Sequence, residues 1–195
     1  MRINNDYLRQ KTDEELATLS LREEDFYLCL MQRYEAKLKR YIHRISQSNE
    51  QDAEDILQDV FLKAYLNLNN FDPSLKFSSW IYRITHNEVI SAFRRQKARP
   101  QADNLSDNDE LLSRLASDLD LNKEIHWKEK TGEIKRVLSR LDGKYREVLV
   151  LKFLEDKNYT EISDILKKPM GTVATLISRA KKKFKEEAQK LNLDF

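Results

Sequence analysis

The chain has 195 residues, enough for one domain or two small ones. Only three glycines and three prolines occur, which favours long helices and leaves little material for a glycine-rich phosphate-binding loop. The single cysteine, Cys29, excludes an internal disulfide and a multi-cysteine zinc site. No segment has the composition of a signal peptide or approaches the roughly 18 apolar residues of a membrane span. We expect a protein of the reducing cytoplasm, with no membrane partner, cofactor or metal.

The net charge of +2 conceals an uneven distribution along the chain. Residues 1–100 carry 16 basic and 15 acidic side chains, residues 101–124 carry 2 and 7, and residues 125–195 carry 17 and 11. The middle stretch therefore has a charge of −5 and the C-terminal stretch has +6. This split predicts two units with different partners, joined by an acidic flexible linker.

The first hundred residues have the periodicity of helices. Thr12 and Glu15 have the capping-box spacing, which predicts a short helix after Thr12. Apolar residues at steps of three and four then predict a long helix over 24–46 and another over 53–68. After turn-forming residues a further helix is predicted within 76–99.

The second long helix has an acidic outer face that includes Asp55, Gln58 and Asp59. Leu62 lies on the same face, where it cannot reach the predicted core. An isolated exposed leucine needs no explanation, but one among acids is also a candidate contact with a partner protein. The pattern leaves both interpretations open.

The helix within 76–99 combines aromatic and basic residues. Ser78 or Ser79 is its predicted cap, and Trp80 and Tyr82 lie close to Arg83. The basic residues of its far end are Arg94, Arg95, Lys97 and Arg99. Rings beside cations suit single-stranded nucleic acid, because bases stack on rings while cations neutralise phosphates. The alternative for Trp80 is that it belongs to the core.

Residues 158–185 predict two short helices joined by a tight turn. Thr160 is the expected cap of the first helix, and Pro169 ends it because proline lacks a backbone N–H. Gly171 is expected to form the turn and Thr172 to cap the second helix.

The second of these helices has an apolar stripe and a polar, basic outer face. The predicted stripe consists of Val173, Leu176, Ile177, Ala180 and Phe184. The predicted outer face consists of Thr172, Thr175, Ser178, Arg179 and Lys182. This arrangement is typical of a helix-turn-helix, whose second helix enters the major groove of DNA. The alternative is an ordinary helical hairpin with a solvated, lysine-rich face.

No catalytic or metal-binding pattern is present in the sequence. His43, His86 and His126 lie far apart, without ligand partners at the spacing of a metal motif. No serine lies between glycines as in a nucleophile elbow. The sequence therefore predicts a protein that is not an enzyme and has no small-molecule substrate.

Three segments together resemble the DNA-binding regions of a bacterial RNA polymerase sigma factor of the extracytoplasmic-function group. They are DAEDILQDVFLKAY at 52–65, FDPSLKFSSWIYRITHNEVISAFRR at 71–95, and LDGKYREVLVLKFLEDKNYTEISDILKKPMGTVATLISRAKKKF at 141–184. The resemblance implies an all-α protein with two small helical domains. Residues 1–100 would dock on polymerase and open the −10 element, 101–127 would form the linker along the RNA exit path, and 128–195 would read the −35 element by a helix-turn-helix.

The resemblance also implies roles for individual residues. The polymerase-binding residues would be Asp55, Gln58, Asp59 and Leu62. Asn87 would help hold a flipped −10 base with Trp80, Tyr82 and Arg83 nearby, and phosphates would meet Arg94, Arg95 and Lys97. The −35 groove would face Thr172, Thr175, Ser178, Arg179 and Lys182. The chain departs from the family at Ala174 and Leu176, where basic residues often occur, so base recognition by arginine is lost at those positions.

The leading hypothesis is therefore a sigma factor whose partners are core RNA polymerase, promoter DNA and an anti-sigma protein. The main alternative is a two-domain helix-turn-helix regulator that binds duplex DNA alone. In that case residues 1–100 would sense a signal or dimerise, and the acidic face with Leu62 would have no purpose. An RNA-binding or purely structural helical protein is the least favoured class.

Overall fold

The computed structural model describes residues 10–98 and 132–193. Every regular element within those two ranges is helical, which confirms the all-α prediction. The predicted linker at 101–127 and His126 lie outside the described residues, so the linker prediction stays a prediction.

Within residues 13–98, the N-terminal unit contains a bundle of four helices. They are α1 (Asp13–Ser20), α2 (Glu24–Ser46), α3 (Glu50–Leu66) and α4 (Phe77–Ala98), with a short 3-10 turn at Leu68–Asn70. Helices α1, α3 and α4 all pack on α2, and α3 also packs on α4. The fully buried side chains of Leu38, Tyr41 and Ile42 put the core on the predicted face of α2.

Within residues 132–193, the C-terminal unit contains four helices and a π-helical turn. They are α5 (132–140), α6 (Gly143–Leu149), α7 (Tyr159–Leu166) and α8 (Met170–Lys190). The π-helical turn, Val150–Leu154, continues α6. Helix α8 packs on α6 and α7, and α7 packs on α4 of the N-terminal unit. The two units therefore share a contact surface.

The first helix begins as its sequence predicts. The Thr12 hydroxyl accepts a hydrogen bond from the Glu15 N–H at 3.1 Å, and the Glu15 carboxylate accepts one from the Thr12 N–H at 2.8 Å. This reciprocal pair satisfies two N–H groups that a helix start leaves free. The capping-box prediction is confirmed.

The start of α4 differs from the prediction. The helix begins at Phe77, whose N–H donates to the Glu14 carboxylate of α1 at 2.9 Å. Ser79 is a buried residue inside the helix, so the predicted cap at Ser78 or Ser79 is wrong. The carboxylate that replaces it comes from a helix distant in sequence. The residues next to Phe77 in the sequence therefore could not identify this acceptor.

Trp80 belongs to an aromatic cluster in the core. Its ring centroid lies 5.4 Å from that of Phe71 and 5.5 Å from that of Phe77. Only 8% of Trp80 is exposed. Tilted ring pairs at such distances add to the stability that burial of large apolar surface supplies. The alternative interpretation, that Trp80 is a core residue, describes its position in this structure.

The helix-turn-helix is present, but its ends differ from the sequence prediction. Helix α7 is capped by Asn158, whose amide oxygen accepts from the Glu161 N–H at 2.9 Å, and Thr160 has no cap role. The left-handed turn residue is Lys167, with φ of 51°. Helix α8 begins at Met170, so Gly171 and Thr172 lie in its first turn. The predicted roles of Thr160, Gly171 and Thr172 are therefore wrong.

The differences arise because neighbouring residues compete for the N-cap positions of α7 and α8. Asn158 stands three residues before Glu161 and forms a complete capping box with it, which Thr160 cannot do. The N-cap of α8 is Pro169, whose fixed φ suits a helix start, so the turn is complete before Gly171.

Asn158→Ala should destabilise the protein by about 1 kcal/mol, because the Glu161 N–H loses its acceptor at the start of α7. Thr160→Ala is the matched control, since its hydroxyl makes only a 3.5 Å contact, to the Met170 sulfur, among the described residues. Urea unfolding followed by circular dichroism measures both free energies of unfolding. A larger loss for Thr160→Ala than for Asn158→Ala would contradict the assigned cap.

Candidate nucleic-acid interface

Helix α8 presents its predicted polar face to solvent. Val173, Ile177 and Ala180 are at most 1% exposed and fix the rotation of the helix, with Leu176 and Phe184 partly buried beside them. The residues on the opposite face are all exposed: Thr172, Thr175, Ser178, Arg179 and Lys182. The predicted division of α8 into a buried stripe and an exposed face is thereby confirmed.

Two cations of this face have no ionic partner in the described part of the chain. Within residues 10–98 and 132–193, no carboxylate pairs with Arg179 or Lys182. Lys183 differs, because its ammonium pairs with Glu186 at 2.7 Å. The Lys181 ammonium lies 5.1 Å from the centre of the Phe153 ring. Arg179 and Lys182 are therefore available to a nucleic acid without breaking an ion pair.

The acidic face of α3 also lies at the surface. Asp55 and Gln58 are exposed, and 58% of Leu62 is exposed. Asp59 is half-buried, and its carboxylate lies 3.4 Å from the Arg95 guanidinium of α4. The structure thus brings the four residues together on one face of α3, as their spacing predicts.

A groove of about 520 Å³ runs beside this face, between α2 and α3. Its apolar lining includes Met31, Leu57, Phe61, Leu62 and Tyr65. Tyr65 lies on the apolar side of α3, but 40% of it is exposed. Periodicity identifies the apolar side of a helix, but it cannot show that no further helix covers part of that side.

Helix α4 carries the residues predicted to meet single-stranded DNA, and the structure divides them into two groups. Asn87, Arg94 and Arg95 are exposed. Trp80 and Tyr82 are buried, and only 2% of Tyr82 is exposed. The side chain of Lys97 lies outside the described residues. The structure therefore exposes the second half of α4, whereas its first half is covered.

The cover over Tyr82 comes from the C-terminal unit. The Tyr82 hydroxyl donates to the Glu155 carboxylate at 2.6 Å, and the Arg44 guanidinium donates to the other oxygen of that carboxylate at 2.5 Å. The Lys157 ammonium lies 4.5 Å from the centre of the Tyr82 ring. Burial raises the pKa of the Tyr82 hydroxyl, so it stays protonated and acts as a donor.

Further polar contacts join the two units. Arg83 pairs with Asp164 at 3.0 Å, and Lys76 pairs with Glu161 at 2.9 Å. The Arg146 guanidinium donates to the carbonyl of Ile45 at the end of α2, at 3.1 Å. None of these long-range pairs was part of the sequence prediction.

Arg146 also supports the C-terminal unit itself. Its guanidinium donates to the carbonyl oxygens of Leu138 and Leu141, both at 2.9 Å. These oxygens belong to the end of α5 and the turn that follows, where a helix leaves carbonyl groups without internal partners. Only 9% of Arg146 is exposed, and burial lowers the pKa of its guanidinium.

His86 lies on α4 in the same region. Burial, and to a smaller extent the positive charge of Lys168, lowers the pKa of the imidazole from 6.5 to about 4. Its Nδ1 atom is buried and has no hydrogen-bond partner among the described residues. The imidazole is therefore neutral at physiological pH, and the low pKa is a consequence of burial.

Two further features of residues 10–98 and 132–193 bear on function. No group of three or more His, Cys, Asp or Glu side chains there could hold a metal ion. No helix in those ranges is long and apolar enough to cross a membrane.

The fold and surface chemistry define a helical DNA-binding protein of two units with a helix-turn-helix in the second. The family model for Sigma-70 region 2 matches residues 30–99, and the model for Sigma-70, region 4 matches residues 131–184. The ECF RNA polymerase sigma factor SigW of Bacillus subtilis is 31% identical over 173 residues, covering 87% of this chain and 92% of SigW. The ECF RNA polymerase sigma-E factor of Escherichia coli K12 is 30% identical, covering 83% and 86%.

Solved structures have the same fold. CnrH, in complex with the cytosolic domain of CnrY, has a TM-score of 0.69 at 22% identity and covers 92% of this chain and 99% of CnrH. The sigma factor RpoE, in complex with the anti-sigma factor NepR from Bartonella quintana, has a TM-score of 0.60 at 20% identity and covers 82% and 94%.

This chain belongs to the extracytoplasmic-function group of RNA polymerase sigma factors. It directs promoter-specific transcription initiation with RNA polymerase and is not an enzyme. Membership of this family rejects the alternative hypothesis of a regulator that acts on DNA alone.

His86→Gln should weaken the dependence of stability on pH. Below pH 6.5 the unfolded chain protonates His86, whereas the folded chain does not until about pH 4. The wild type therefore loses free energy of unfolding through this interval as pH falls, and loses none from this group above it. Urea unfolding near pH 7 and near pH 5 should show a smaller loss in the variant. An equal loss in both proteins would show that His86 is not held neutral by burial.

Proposed function

We propose that α3 binds core RNA polymerase, that α4 contacts the −10 element and that α8 contacts the −35 element. The observation that carries this proposal is the exposed face of α8, where Arg179 and Lys182 have no ionic partner within the described ranges. Because the polymerase partner works in the cytoplasm, we place the chain there.

Helix α8 fits the major groove, which is wide enough for one α-helix. Thr172, Thr175 and Ser178 offer hydroxyl groups to base edges or phosphates, and Arg179 can form a bidentate bond with guanine. The Thr175 hydroxyl donates to the Gly171 carbonyl at 2.8 Å, which leaves its lone pairs free to accept. Ala174 is exposed and offers only an apolar contact, so Arg179 is the arginine we assign to base recognition.

Helix α4 combines accessible cations with aromatic residues. Arg94 and Arg95 are exposed and suit the phosphates of a DNA strand, and we assign Lys97 the same role from its place in the sequence. Asn87 is exposed on the same helix and is assigned to a flipped base. We assign Tyr82 and Arg83 to the same strand, with Trp80 supporting them from the core.

The exposed face of α3 suits a basic partner surface. Asp55, Gln58 and Asp59 supply carboxylate and amide oxygens around the exposed Leu62. An apolar residue surrounded by charged groups is a common arrangement at interfaces, where charge complementarity sets the partner and speeds association. We therefore assign these four residues to the polymerase.

The domain boundaries follow from the same assignments. We assign residues 1–100 to polymerase docking and the −10 element, 101–127 to the acidic linker, and 128–195 to the −35 element. The separate family models for 30–99 and 131–184 support this division.

An anti-sigma protein is a further proposed partner. The groove between α2 and α3 exposes Met31, Leu62 and Tyr65 next to the proposed polymerase surface. A protein that fills this groove would also block α3. The solved complex of RpoE with the anti-sigma factor NepR supports the proposal by analogy of fold.

Charge reversal on α3 tests the polymerase surface. Asp55→Lys combined with Asp59→Lys should abolish binding to purified core polymerase and eliminate promoter-dependent run-off transcripts, because like charges then meet at the interface. DNA binding by the isolated chain should not weaken. The control is Glu133→Lys combined with Asp142→Lys, which makes the same change in charge at exposed or half-buried positions of the C-terminal unit.

Three outcomes are informative. Loss of transcription in the control as well would show that net charge, rather than α3, is responsible. Normal core binding by the α3 variant would contradict the polymerase surface. Absence of any promoter-dependent transcript from the wild type, on templates that include genomic fragments, would contradict the activity of this chain itself.

Arg179→Ala should weaken DNA binding by about 1 to 3 kcal/mol at one position of the −35 element and relax the preference there. Lys182→Ala is the paired variant, and it should weaken binding to all sequences and reduce the salt slope by about one. Fluorescence anisotropy with single-position variants of a selected promoter measures both. A uniform loss for Arg179→Ala would assign this residue to phosphate instead.

A further inference from the structure

We propose that α8 recognises a thymine of the −35 element by its 5-methyl group, through Ala174 with Met170 and Thr175 beside it. These three residues would then determine specificity in the part of α8 that has no charged side chain. Because it requires α8 to enter the −35 groove, this inference rests on the proposed function.

The chemistry of the first half of α8 favours thymine over the other bases. No residue from Met170 to Ser178 has a charged or amide side chain, and the first cation of the helix is Arg179. In the major groove, arginine or lysine reads guanine, asparagine or glutamine reads adenine, and an acidic side chain reads cytosine. None of these side chains is present before Arg179. The thymine methyl group is the remaining feature, and apolar side chains such as alanine recognise it.

The uncharged part of α8 is also the part that is placed to reach the bases. In a helix-turn-helix, the N-terminal residues of the second helix contact base edges. Ala174 and Ser178 are exposed, and 55% of Met170 is exposed. These residues are spaced four apart, so they form one row along the surface of the helix. The row is apolar at its first two positions and ends at the Ser178 hydroxyl.

Thr175 follows Ala174 on the exposed face and completes the match to an A·T base pair. Its hydroxyl donates to the Gly171 carbonyl at 2.8 Å, so the hydroxyl proton is used within the helix. The oxygen can therefore only accept from DNA, and an acceptor suits the N6 amino group of adenine. An A·T pair presents both this amino group and the thymine methyl group, whereas a G·C pair presents an amino group and no methyl group.

Met170 extends the apolar surface at the start of the helix. Its sulfur lies 3.5 Å from the Thr160 hydroxyl of α7, and more than half of the residue is exposed. A thioether side chain is flexible and fits irregular apolar surfaces. Contact with a thymine methyl group would remove apolar surface of both groups from water, which is favourable.

The expected thymine lies near the base that we assign to Arg179. Ala174 precedes Arg179 by five residues, which corresponds to about 7.5 Å along the helix axis at about 1.5 Å per residue. Successive nucleotides of one DNA strand are about 3.4 Å apart along the duplex, so the separation covers about two base pairs.

The test removes single thymine methyl groups from the DNA. A −35 element is first selected from random duplexes with the holoenzyme of core polymerase and the full chain. Each thymine of the selected element is then replaced by deoxyuridine, which lacks only the 5-methyl group and pairs in the same way. Competition binding should show a loss of about fourfold at one thymine, the effect of one buried methyl group.

Protein variants show which side chain the methyl group meets. Ala174→Gly should bind the thymine and deoxyuridine duplexes equally, because the protein methyl group is absent. Met170→Ala should reduce the preference for thymine, and alanine is a good helix former, so this variant serves if Ala174→Gly destabilises α8. The control is Lys182→Ala, which should bind both duplexes more weakly through lost phosphate contact but keep the wild-type ratio between them. Circular dichroism checks that each variant keeps its helices.

The outcomes separate this inference from the proposed function. A selected −35 element without thymine on either strand would overturn the methyl contact, as would equal binding of the wild type to every deoxyuridine duplex. A thymine preference that is unchanged in both Ala174→Gly and Met170→Ala would also overturn it. Failure of the proposed function would instead appear as no selected −35 sequence, with Arg179→Ala and Lys182→Ala leaving DNA binding unchanged.

Discussion

The carboxylate of Glu155 accepts hydrogen bonds from Tyr82 and Arg44 and thereby joins the two units of this sigma factor. Its burial is favourable only when both donors are present, because an unpaired carboxylate away from water is costly. The C-terminal unit consequently lies over the first half of α4, while α8 and the acidic face of α3 stay exposed. One contact surface thus determines which functional faces the free chain offers to a partner.

The two units are built to present helical surfaces rather than a pocket. In the C-terminal unit, Val173 and Ile177 fix the rotation of α8, and the capping box of Asn158 fixes where α7 begins. In the N-terminal unit, the buried stripe of α2 gives α3 and α4 a common support. The outward residues are thereby held on rigid helices, which suits recognition of a groove or a protein surface better than catalysis.

Much of this organisation could be predicted from sequence, because apolar spacing states which side of a helix is buried. The spacing correctly predicts that Asp55, Gln58 and Arg179 are exposed, and the sequence also identifies the Thr12 capping box. The prediction from spacing failed where the hydrogen-bond partner is distant in sequence. The Glu14 carboxylate that accepts from the Phe77 N–H is 63 positions from Phe77. The Glu155 carboxylate that covers Tyr82 is 73 positions from Tyr82. The prediction also failed where two candidates compete locally, as Asn158 and Thr160 do.

The central claim is that the two units separate over α4 when core polymerase binds. Hydroxyl-radical footprinting of Tyr82 tests this claim most directly. The side chain is 2% exposed in this structure. Because Tyr82 is assigned to the −10 strand, we expect low oxidation of Tyr82 in the free protein and a clear rise after core polymerase is added. We also expect renewed protection when a single-stranded −10 oligonucleotide is added to that complex. Oxidation that stays at the level of the free protein after polymerase binds would show that the two units do not separate over α4, and would contradict the account.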